Sequence, residues 1–426
     1  MSSLLYEVIA RNRAGEPAAV PSVCSAHPEI LTSALHLARD LERPLIIEAT
    51  SNQVNQFGGY TGMRAADFMA FVNKLISTSG IDPTTVVLGG DHLGPQVWNR
   101  EPAEQAMDKA KCLVAEYSTA GIQKIHLDCS EGCAGEAAQV SDELAAARAA
   151  ELAVVCRNAS ENPQELVFVV GTEVPPPGGV RMDDNGNLVA TTPQNATKTI
   201  DAHRAAFEAQ GAADLWGQVA GLVVQPGVEF SFDEVHQLPL GRDPGLRSVM
   251  MDHPHLCLEA HSTDYQPPDV YPRLAELGFA FQKVGPALTY AWRRALYALD
   301  HLRSILQPGS TSLPQVVESA MRKNPVFWQD HYPASGAEVA WHFGLSDRIR
   351  YYWTDTAVAG AVTGLLDELA TANLPDHVYL EVFEPAVLAQ SARLGESRPL
   401  ALARAQVQQS LAPYFFGATP EPSIRH

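Results

Sequence analysis

Acidic and imidazole side chains lie side by side at points where apolar runs of the sequence end. Asp91 and His92 follow the run 86–89, and Glu259 and His261 are two positions apart, so both would point to one side of a strand. Such groups transfer protons and bind divalent cations. The structural alternative is that Asp91 caps a turn beside a partly buried His92 and that Glu259 only hydrogen-bonds His261. Their positions at run ends favour a functional site.

Two further carboxylates, Asp128 and Glu173, end other apolar segments. Either could act as an acid, a base or a metal ligand. His126 alternates in phase with Asp128, so it would face the same side of a strand. It could serve the site or be a satisfied core histidine.

The loop 52–62 is rich in amides, glycines and hydroxyls, and it contains Asn52, Gln53 and Gln56. Amide side chains both donate and accept hydrogen bonds, which suits a ligand with several hydroxyl groups. Loops are polar in general, so the composition alone is a weak signal. It indicates a sugar-like substrate.

Lys283 and Gly285 end an apolar run and precede a predicted helix. A lysine, exposed backbone amides and a helix N-terminus together can bind a phosphate group. A purely structural lysine is the alternative at this position.

Eight apolar runs alternate with amphipathic segments over the first two thirds of the chain. Continuous rather than alternating apolarity predicts strands buried on both faces, and hence a parallel sheet. The predicted strands are 20–24, 45–49, 85–88, 122–127, 166–170, 221–224, 256–258 and 279–284. The helices predicted between them are 28–41, 65–77, 103–120, 142–158 and 199–210. Eight strand–helix units favour a closed TIM (β/α)8 barrel, with the polar strand ends at one mouth.

The pattern changes near residue 285, where helices begin to follow one another. We therefore divide the chain into a barrel, 1–285, that carries the site and a helical C-terminal extension, 286–426, packed on the barrel. Helices are predicted at 288–306, 313–321, 357–372 and 400–411. Between these helices lie eight aromatic residues, which indicate either a packed subdomain core or an oligomer interface.

Composition excludes several classes of protein. The chain has 426 residues, a net charge of −19, 46% hydrophobic and 19% charged residues, which is typical of a globular protein and argues against partners such as nucleic acid or an anionic membrane. Its six cysteines lack zinc-module spacing, and neither a signal peptide nor an apolar span is visible, so we expect a cytoplasmic protein. The absence of a Gly-x-x-x-x-Gly-Lys-Ser/Thr loop weighs against a kinase, and the absence of Gly-x-Gly-x-x-Gly after a strand weighs against a dehydrogenase.

Several motifs resemble those of one family. They are IEATSNQVNQFGGYTGM at 47–63, LGGDHLGP at 88–95, KIHLDCS at 124–130, GTEVPPPGG at 171–179 and EAHSTDYQ at 259–266. In this order they resemble the Z-subunit family of D-tagatose-1,6-bisphosphate aldolase (GatZ/KbaZ). The long motif at 47–63 is the most specific of them.

The resemblance implies a TIM barrel related to the metal-dependent class II aldolases, with a role in galactitol catabolism. It implies one of three functions. The first is a D-tagatose 6-phosphate 4-epimerase that works by retro-aldol cleavage and re-addition. The second is a non-catalytic Z subunit that stabilises a class II aldolase catalytic subunit. The third is a tagatose-6-phosphate kinase, as some members are labelled.

Acid, base and ligand groups at several strand ends favour catalysis over a purely stabilising role. We expect His92 and His261 to bind a divalent metal ion, zinc or else manganese or magnesium, with Glu259 or Glu173 completing the ligand set. The expected acid–base groups are Asp91, Asp128 and Glu173. Substrate-binding residues would be Asn52, Gln53, Gln56, Lys283 and Gly285, with a sugar phosphate as the substrate. We also expect a homo-oligomer.

Overall fold

The computed structural model describes residues 2–171, 188–332 and 336–417. Its centre is a closed barrel of eight parallel strands in sequential order, in which the last strand pairs with the first. The strands are β1 (Val20–Cys24), β2 (Leu45–Thr50), β3 (Val86–Leu93), β4 (Lys124–Leu127), β5 (Val167–Val170), β6 (Val219–Val223), β7 (Cys257–Ala260) and β8 (Phe279–Val284). The predicted TIM barrel is confirmed, and each predicted strand overlaps an observed one.

Helices surround the barrel and cover the outer face of the strands. In chain order, after an N-terminal helix α1 (Ser2–Arg13), they are α2 (Pro28–Asp40), α3 (Ala65–Ser79), α4 (Ala103–Thr119), α5 (Asp142–Ala159), α6 (Pro193–Ala209), α7 (Val270–Glu276) and α8 (Pro286–Leu306). The strands are therefore buried on both faces, as their continuous apolarity predicts.

Helix α1 was not predicted from the sequence, and it closes the N-terminal end of the barrel. Its Leu5, Val8 and Ile9 pack against a layer of side chains inside the barrel. The layer consists of Val20, Ile46, Val87, Val167, Ala220, Cys257, Ala280 and Phe281. Solvent is thus excluded from that end, so the opposite mouth is the open one.

Strand β3 continues further than the sequence indicated. The predicted strand ended at residue 88, before Asp91 and His92, yet both residues lie within β3 and are 2% and 4% exposed. The pairing of β3 with β4 shifts register between Gly90 and Leu93, and His92 has a φ of 49°. That left-handed conformation is costly for a histidine, so packing must impose it.

The predicted extension, 286–426, begins with α8, which surrounds the barrel together with α2–α7, and the helices after α8 pack on the barrel. They are α9 (Leu313–Lys323), α10 (Ala337–Phe343), α11 (Thr356–Ala372), α12 (Asp376–Tyr379), α13 (Pro385–Ser391) and α14 (Arg398–Leu411). Polar contacts join the two parts: Arg404 pairs with Glu29 at 2.6 Å, and the Tyr265 hydroxyl donates to the Leu345 carbonyl at 2.6 Å. Of the eight aromatics noted in the sequence, only Phe343 is exposed, which supports a packed core for this region. Oligomer formation stays a prediction.

None of the described helices combines the length and the hydropathy that crossing a bilayer requires.

Candidate active site

Charged side chains form a second layer inside the barrel, nearer the open mouth than the apolar layer. Each follows the strand alternation, as Glu48 does two residues after Ile46. The Lys124 Nζ atom lies 2.6 Å from Glu48 Oε1 and 2.7 Å from Glu259 Oε2. Lys283 pairs with Glu48 and lies 3.3 Å from Glu259 Oε1. Two lysines therefore cross-link carboxylates from opposite sides of the barrel.

A small residue on β3 makes room for this layer. A Cβ atom at Gly89 would lie 2.8 Å from Glu48 Oε1 and 3.0 Å from the Lys124 carbonyl oxygen. Any larger residue would therefore displace Glu48. Gly89, which lies two residues before Asp91, therefore leaves the space that the Glu48 side chain occupies.

Three imidazoles lie next to one another at the mouth. The ring centroids of His92, His126 and His261 are 4.9 to 5.1 Å apart, and each pair meets edge to face. The His261 Nε2 atom lies 2.9 Å from Glu259 Oε1, so these two side chains share one side of β7 as the sequence predicted. His126 lies two residues before Asp128, so the two side chains face the same side of the strand, and the His126 ring does lie at the site.

Two carboxylates hold these rings. The Asp128 Oδ2 atom lies 2.7 Å from His92 Nδ1, and its Oδ1 atom accepts hydrogen bonds from the backbone N–H and hydroxyl of Ser130. The Asp91 Oδ1 atom lies 2.8 Å from His126 Nδ1 and 2.7 Å from Lys283 Nζ. Asp91 also accepts a weak hydrogen bond from the Cys24 thiol at 3.4 Å.

Burial and charge shift the pKa values of these groups in different directions. Burial opposes ionisation of Asp91, but the charges of His92 and Lys283 outweigh it and hold the pKa of Asp91 well below its usual value. Burial similarly opposes ionisation of Glu259, yet Lys124 and Lys283 keep its pKa well below normal. Burial lowers the pKa of His261 to about 3, so this imidazole is neutral and free to act as a ligand.

Burial also lowers the pKa of His92, but Asp91 and Asp128 outweigh it and raise that pKa above 6.5. Burial opposes ionisation of Asp128, but its hydrogen bonds with His92 and Ser130 and the charges of His92 and His126 together outweigh burial and lower the pKa of Asp128. His92 is thus the imidazole of the three that favours a proton.

The donor set fits a divalent cation. Asp91, His126, Glu259 and His261 each offer a ligand atom, and these atoms lie within 4.8 Å of one another. The buried His126 Nε2 atom has no hydrogen-bond partner among the described residues. Around this point, four carboxylates outnumber two lysine ammonium groups, which favours a bound cation. The carboxylates are Glu48, Asp91, Asp128 and Glu259, and the ammonium groups are those of Lys124 and Lys283. Mixed imidazole and carboxylate donors suit zinc or manganese.

A cleft of about 630 Å³, part of it open to solvent, leads to these groups. Asp91, His92 and His261 form its floor, and Lys283 and Gly285 line one side. The C-terminal extension covers it from above with Arg350 and Tyr351.

The loop after β2 forms a wall of the cleft. Asn55 shapes the loop, because its Oδ1 atom accepts from the N–H groups of Phe57 and Gly59 and its Nδ2 atom donates to the Ser51 carbonyl. Gly59 is required there, since a Cβ atom would lie 2.4 Å from the Gln53 carbonyl oxygen.

Among the predicted amides, Asn52 and Gln53 line the cleft. Gln56 does not line it, and its Nε2 atom donates instead to the Lys109 carbonyl on α4. The amide signal in the sequence therefore located the wall of the cleft but could not say which amides face it.

The predicted phosphate site at β8 is arranged differently from the expectation. Lys283 lies in the cleft wall, but its charge already faces Glu48, Asp91 and Glu259. The N–H groups of Gly285 and Ala287 both donate to Asp264 Oδ1, at 3.1 and 2.8 Å. A carboxylate thus occupies the N-terminus of α8.

The structure brings together six residues that the sequence singled out, and they are Asp91, His92, Asp128, Glu259, His261 and Lys283. Glu173 lies outside the described residues. Sequence reasoning missed Lys124, although a lysine in phase with His126 and Asp128 within an apolar strand was an available signal. It also missed Arg350 and Asp264, for which no local signal exists.

Comparison with known proteins shows the family of the chain. The model of the family "D-tagatose-1,6-bisphosphate aldolase subunit GatZ/KbaZ-like" matches residues 5–419. The chain belongs to the GatZ/KbaZ-like family. The match spans both the barrel and the extension, so the GatZ/KbaZ-like fold includes the helices that cover the cleft.

A solved structure with clear sequence similarity shows the same fold. The crystal structure of a probable tagatose 6 phosphate kinase from Sinorhizobium meliloti 1021 is 41% identical, covers 93% of this GatZ/KbaZ-like chain and 99% of its own, and has a TM-score of 0.82. The fructose-bisphosphate aldolase of Campylobacter jejuni is 14% identical, with 86% and 92% coverage and a TM-score of 0.46, which is too low to support any conclusion.

Proposed function

We propose that this protein performs metal-dependent aldol-type chemistry on a ketose phosphate, as a D-tagatose 6-phosphate 4-epimerase. The observation that supports the proposal best is the convergence of three imidazoles, Asp91 and Glu259 on one cleft at the barrel mouth. The family description and the name of the Sinorhizobium relative both refer to tagatose phosphates. Such a role belongs to galactitol catabolism in the cytoplasm.

His126, His261 and Glu259 hold the divalent cation in this proposal, with zinc as the first choice. The cation supplies Lewis-acid stabilisation of the negative charge that develops on substrate oxygens during aldol chemistry. Glu259 and His261 were expected as ligands from the sequence, and His126 joins them. His92 lies beside the set and has a different partner, Asp128.

Asp91 moves the proton in the proposed reaction. It removes the proton of the C4 hydroxyl as the C3–C4 bond breaks, which gives an aldehyde and a three-carbon carbanion equivalent. The aldehyde rotates, the C3–C4 bond re-forms on its other face, and Asp91 returns the proton to the new C4 oxygen. Atoms and electrons balance, and no nucleotide or oxidant is consumed.

The other residues position these groups. Asp128 holds His92 in one tautomer and orientation, and His92 stabilises the charge of Asp91 from 3.7 Å. Lys283 supplies a second positive charge at Asp91. Asn52 and Gln53 hydrogen-bond substrate hydroxyls from the cleft wall.

Incubation of the purified protein with D-tagatose 6-phosphate and Zn²⁺ or Mn²⁺ tests the proposal. D-fructose 6-phosphate should form, and the His261→Ala variant should form it at least about 100-fold more slowly. His377→Ala, at an exposed histidine of the extension, is the matched control and should keep full activity. No product with any divalent ion would refute the proposal.

The family description favours a second candidate, a Z subunit that stabilises a class II aldolase catalytic subunit. In that case the Asp91→Ala, His92→Ala double variant would still co-purify with the catalytic subunit and stimulate it fully. A double variant that folds but no longer stimulates would show that the cleft itself is needed.

A further inference from the structure

The C-terminal extension contributes a cationic side chain to the cleft. A short 3-10 turn, Arg348–Tyr352, lies over the barrel mouth. Its Arg350 lines the cleft together with Asp91, His92 and His261. The site is therefore completed by residues that follow the last barrel strand in the chain.

Arg350 is a charged group without a charged partner. Its Nη1 atom donates to the carbonyls of Ser346 and Asp347, and its Nη2 atom donates to the Tyr351 hydroxyl at 3.0 Å. No carboxylate in the described ranges lies within ion-pair distance of it. Of the five N–H donors of a guanidinium, Nε–H and one Nη2–H are left for a ligand.

A partly buried cation without a counter-ion is costly, so its retention needs a reason. The net charge of −19 shows that acidic side chains are abundant in this chain. Nevertheless, the contacts of Arg350 are neutral carbonyls and a phenol. A guanidinium of this kind is suited to bind a phosphate or carboxylate group of a ligand.

The other cationic positions around the cleft are already satisfied. Lys283 faces Glu48, Asp91 and Glu259. Asp264 accepts hydrogen bonds from the first N–H groups of α8, where barrels often bind phosphate. An anionic ligand would meet a carboxylate at that helix, and at Arg350 it would meet a guanidinium whose observed hydrogen bonds go to carbonyl groups and a phenol.

Space is also available at Arg350. A second chamber of about 900 Å³ adjoins the cleft and shares Arg350, Tyr60 and Gln53 with it. His27 and Trp353 belong to this chamber. A ligand held at the imidazoles therefore has space beside Arg350.

We propose that Arg350 binds the phosphate group of the substrate and so selects phosphorylated over free ketoses. This inference rests on the proposed function for the identity of the substrate. The contacts of Arg350 that support phosphate binding are the same whichever reaction the protein catalyses. It replaces the expectation that Lys283 and Gly285 bind the phosphate.

The test compares Arg350→Gln and Arg350→Lys with the wild type. Arg204→Gln, at an exposed arginine on α6, is the matched control. Calorimetric titration with inorganic phosphate and with D-fructose 6-phosphate measures binding without turnover. Arg350→Gln should weaken D-fructose 6-phosphate binding about 30- to 100-fold, Arg350→Lys should weaken it less, and Arg204→Gln should leave it unchanged.

Kinetics provide the second readout. For D-tagatose 6-phosphate, Arg350→Gln should raise KM much more than it lowers kcat, while turnover of free D-tagatose should change by less than about 2-fold. Unchanged affinity for D-fructose 6-phosphate in Arg350→Gln would overturn the inference, as would equal losses for phosphorylated and free sugar.

The two proposals fail in different ways. Arg350-dependent binding of the sugar phosphate without any epimerisation would refute the proposed reaction and support the role of Arg350. Equal epimerisation of phosphorylated and free sugar would support the proposed reaction and refute the role of Arg350. Because Arg350 also anchors its own turn, unfolding temperatures of both variants are compared, and Arg350→Lys keeps the charge if Arg350→Gln is unstable.

Discussion

The Nδ1 atom of His92 lies 2.7 Å from Oδ2 of Asp128, and both side chains are buried at the barrel mouth. They come from adjacent strands, so only the sheet brings them together. A buried carboxylate paired with an imidazole fixes the tautomer and the orientation of the ring. This pair leaves the Nε2 atom of His92 facing Asp91, at 3.7 Å from its Oδ2 atom.

Replacement of Asp128 with asparagine should lower activity because His92 would lose its fixed orientation. We expect kcat to fall about 10- to 100-fold, while KM changes little. The rate should be measured against pH, since the loss of a nearby negative charge should also shift the acidic limb of the profile to lower pH. Ser130→Ala, which removes one hydrogen bond to Asp128, is a milder control. An unaltered profile would show that Asp128 is only structural.

Removal of a proposed ligand should abolish stabilisation by metal ions. A cation at about 100 times its Kd stabilises the folded wild type by about 2.7 kcal/mol, which appears as a rise in unfolding temperature. Glu259→Gln and His261→Ala should lose this rise, and exposed His377→Ala should keep it. Differential scanning calorimetry with and without Zn²⁺ measures the effect. Equal rises in all four proteins would place the cation elsewhere.

Replacement of Lys124 with methionine should destabilise the barrel strongly. Glu48 and Glu259 would remain buried beside an apolar side chain, and a broken buried ion pair costs about 3–5 kcal/mol. Burial opposes the charge on Lys124, but Glu259 and Glu48 raise its pKa, so the charge is present at neutral pH. Urea unfolding at pH 7.5 measures the loss.

The surface pair Lys111–Glu151, at 2.8 Å, provides the comparison for Lys124. Lys111→Met should cost less than about 1 kcal/mol, because exposed ion pairs contribute little. Similar losses in the two variants would contradict the assignment of a tightly paired Lys124.

Asp264 should make stability depend on pH. Burial raises its pKa from 3.8 to about 6, against the opposing effect of hydrogen bonds from Ala287 and Gly285. The folded state therefore binds this proton more tightly than the unfolded state, so the contribution is present below about pH 4 and is lost as pH rises through 6. Arg350, the nearby charged group, partly offsets the rise.

Asp264→Asn removes that titration and retains an oxygen that can accept from α8. Relative to the variant, the wild type should lose about 2 kcal/mol of unfolding free energy between about pH 4.5 and 7.5. Asp82→Asn is a control with the opposite sign. Hydrogen bonds from Thr84 lower the pKa of this exposed helix cap, so its contribution to stability is lost as pH falls. A difference that does not change with pH would mean that Asp264 is ionised throughout.

The sequence by itself determined the barrel and most of its site. Strand periodicity is local, so eight apolar runs and the helices between them could be found without coordinates, as could the pairs Asp91–His92 and Glu259–His261. The end of β3 was misjudged, because a shifted register and a positive φ at His92 have no signature in residue types.

Only the tertiary structure decided which charges meet. Lys124, Glu48 and Glu259 become partners because closure of the barrel brings β2, β4 and β7 around one axis. Helix α1 and Arg350 acquire their roles in the same way, the first by filling the N-terminal end of the barrel and the second by reaching its mouth from the extension. Contacts between residues far apart in the chain depend on how the elements pack, and local sequence patterns do not predict that packing.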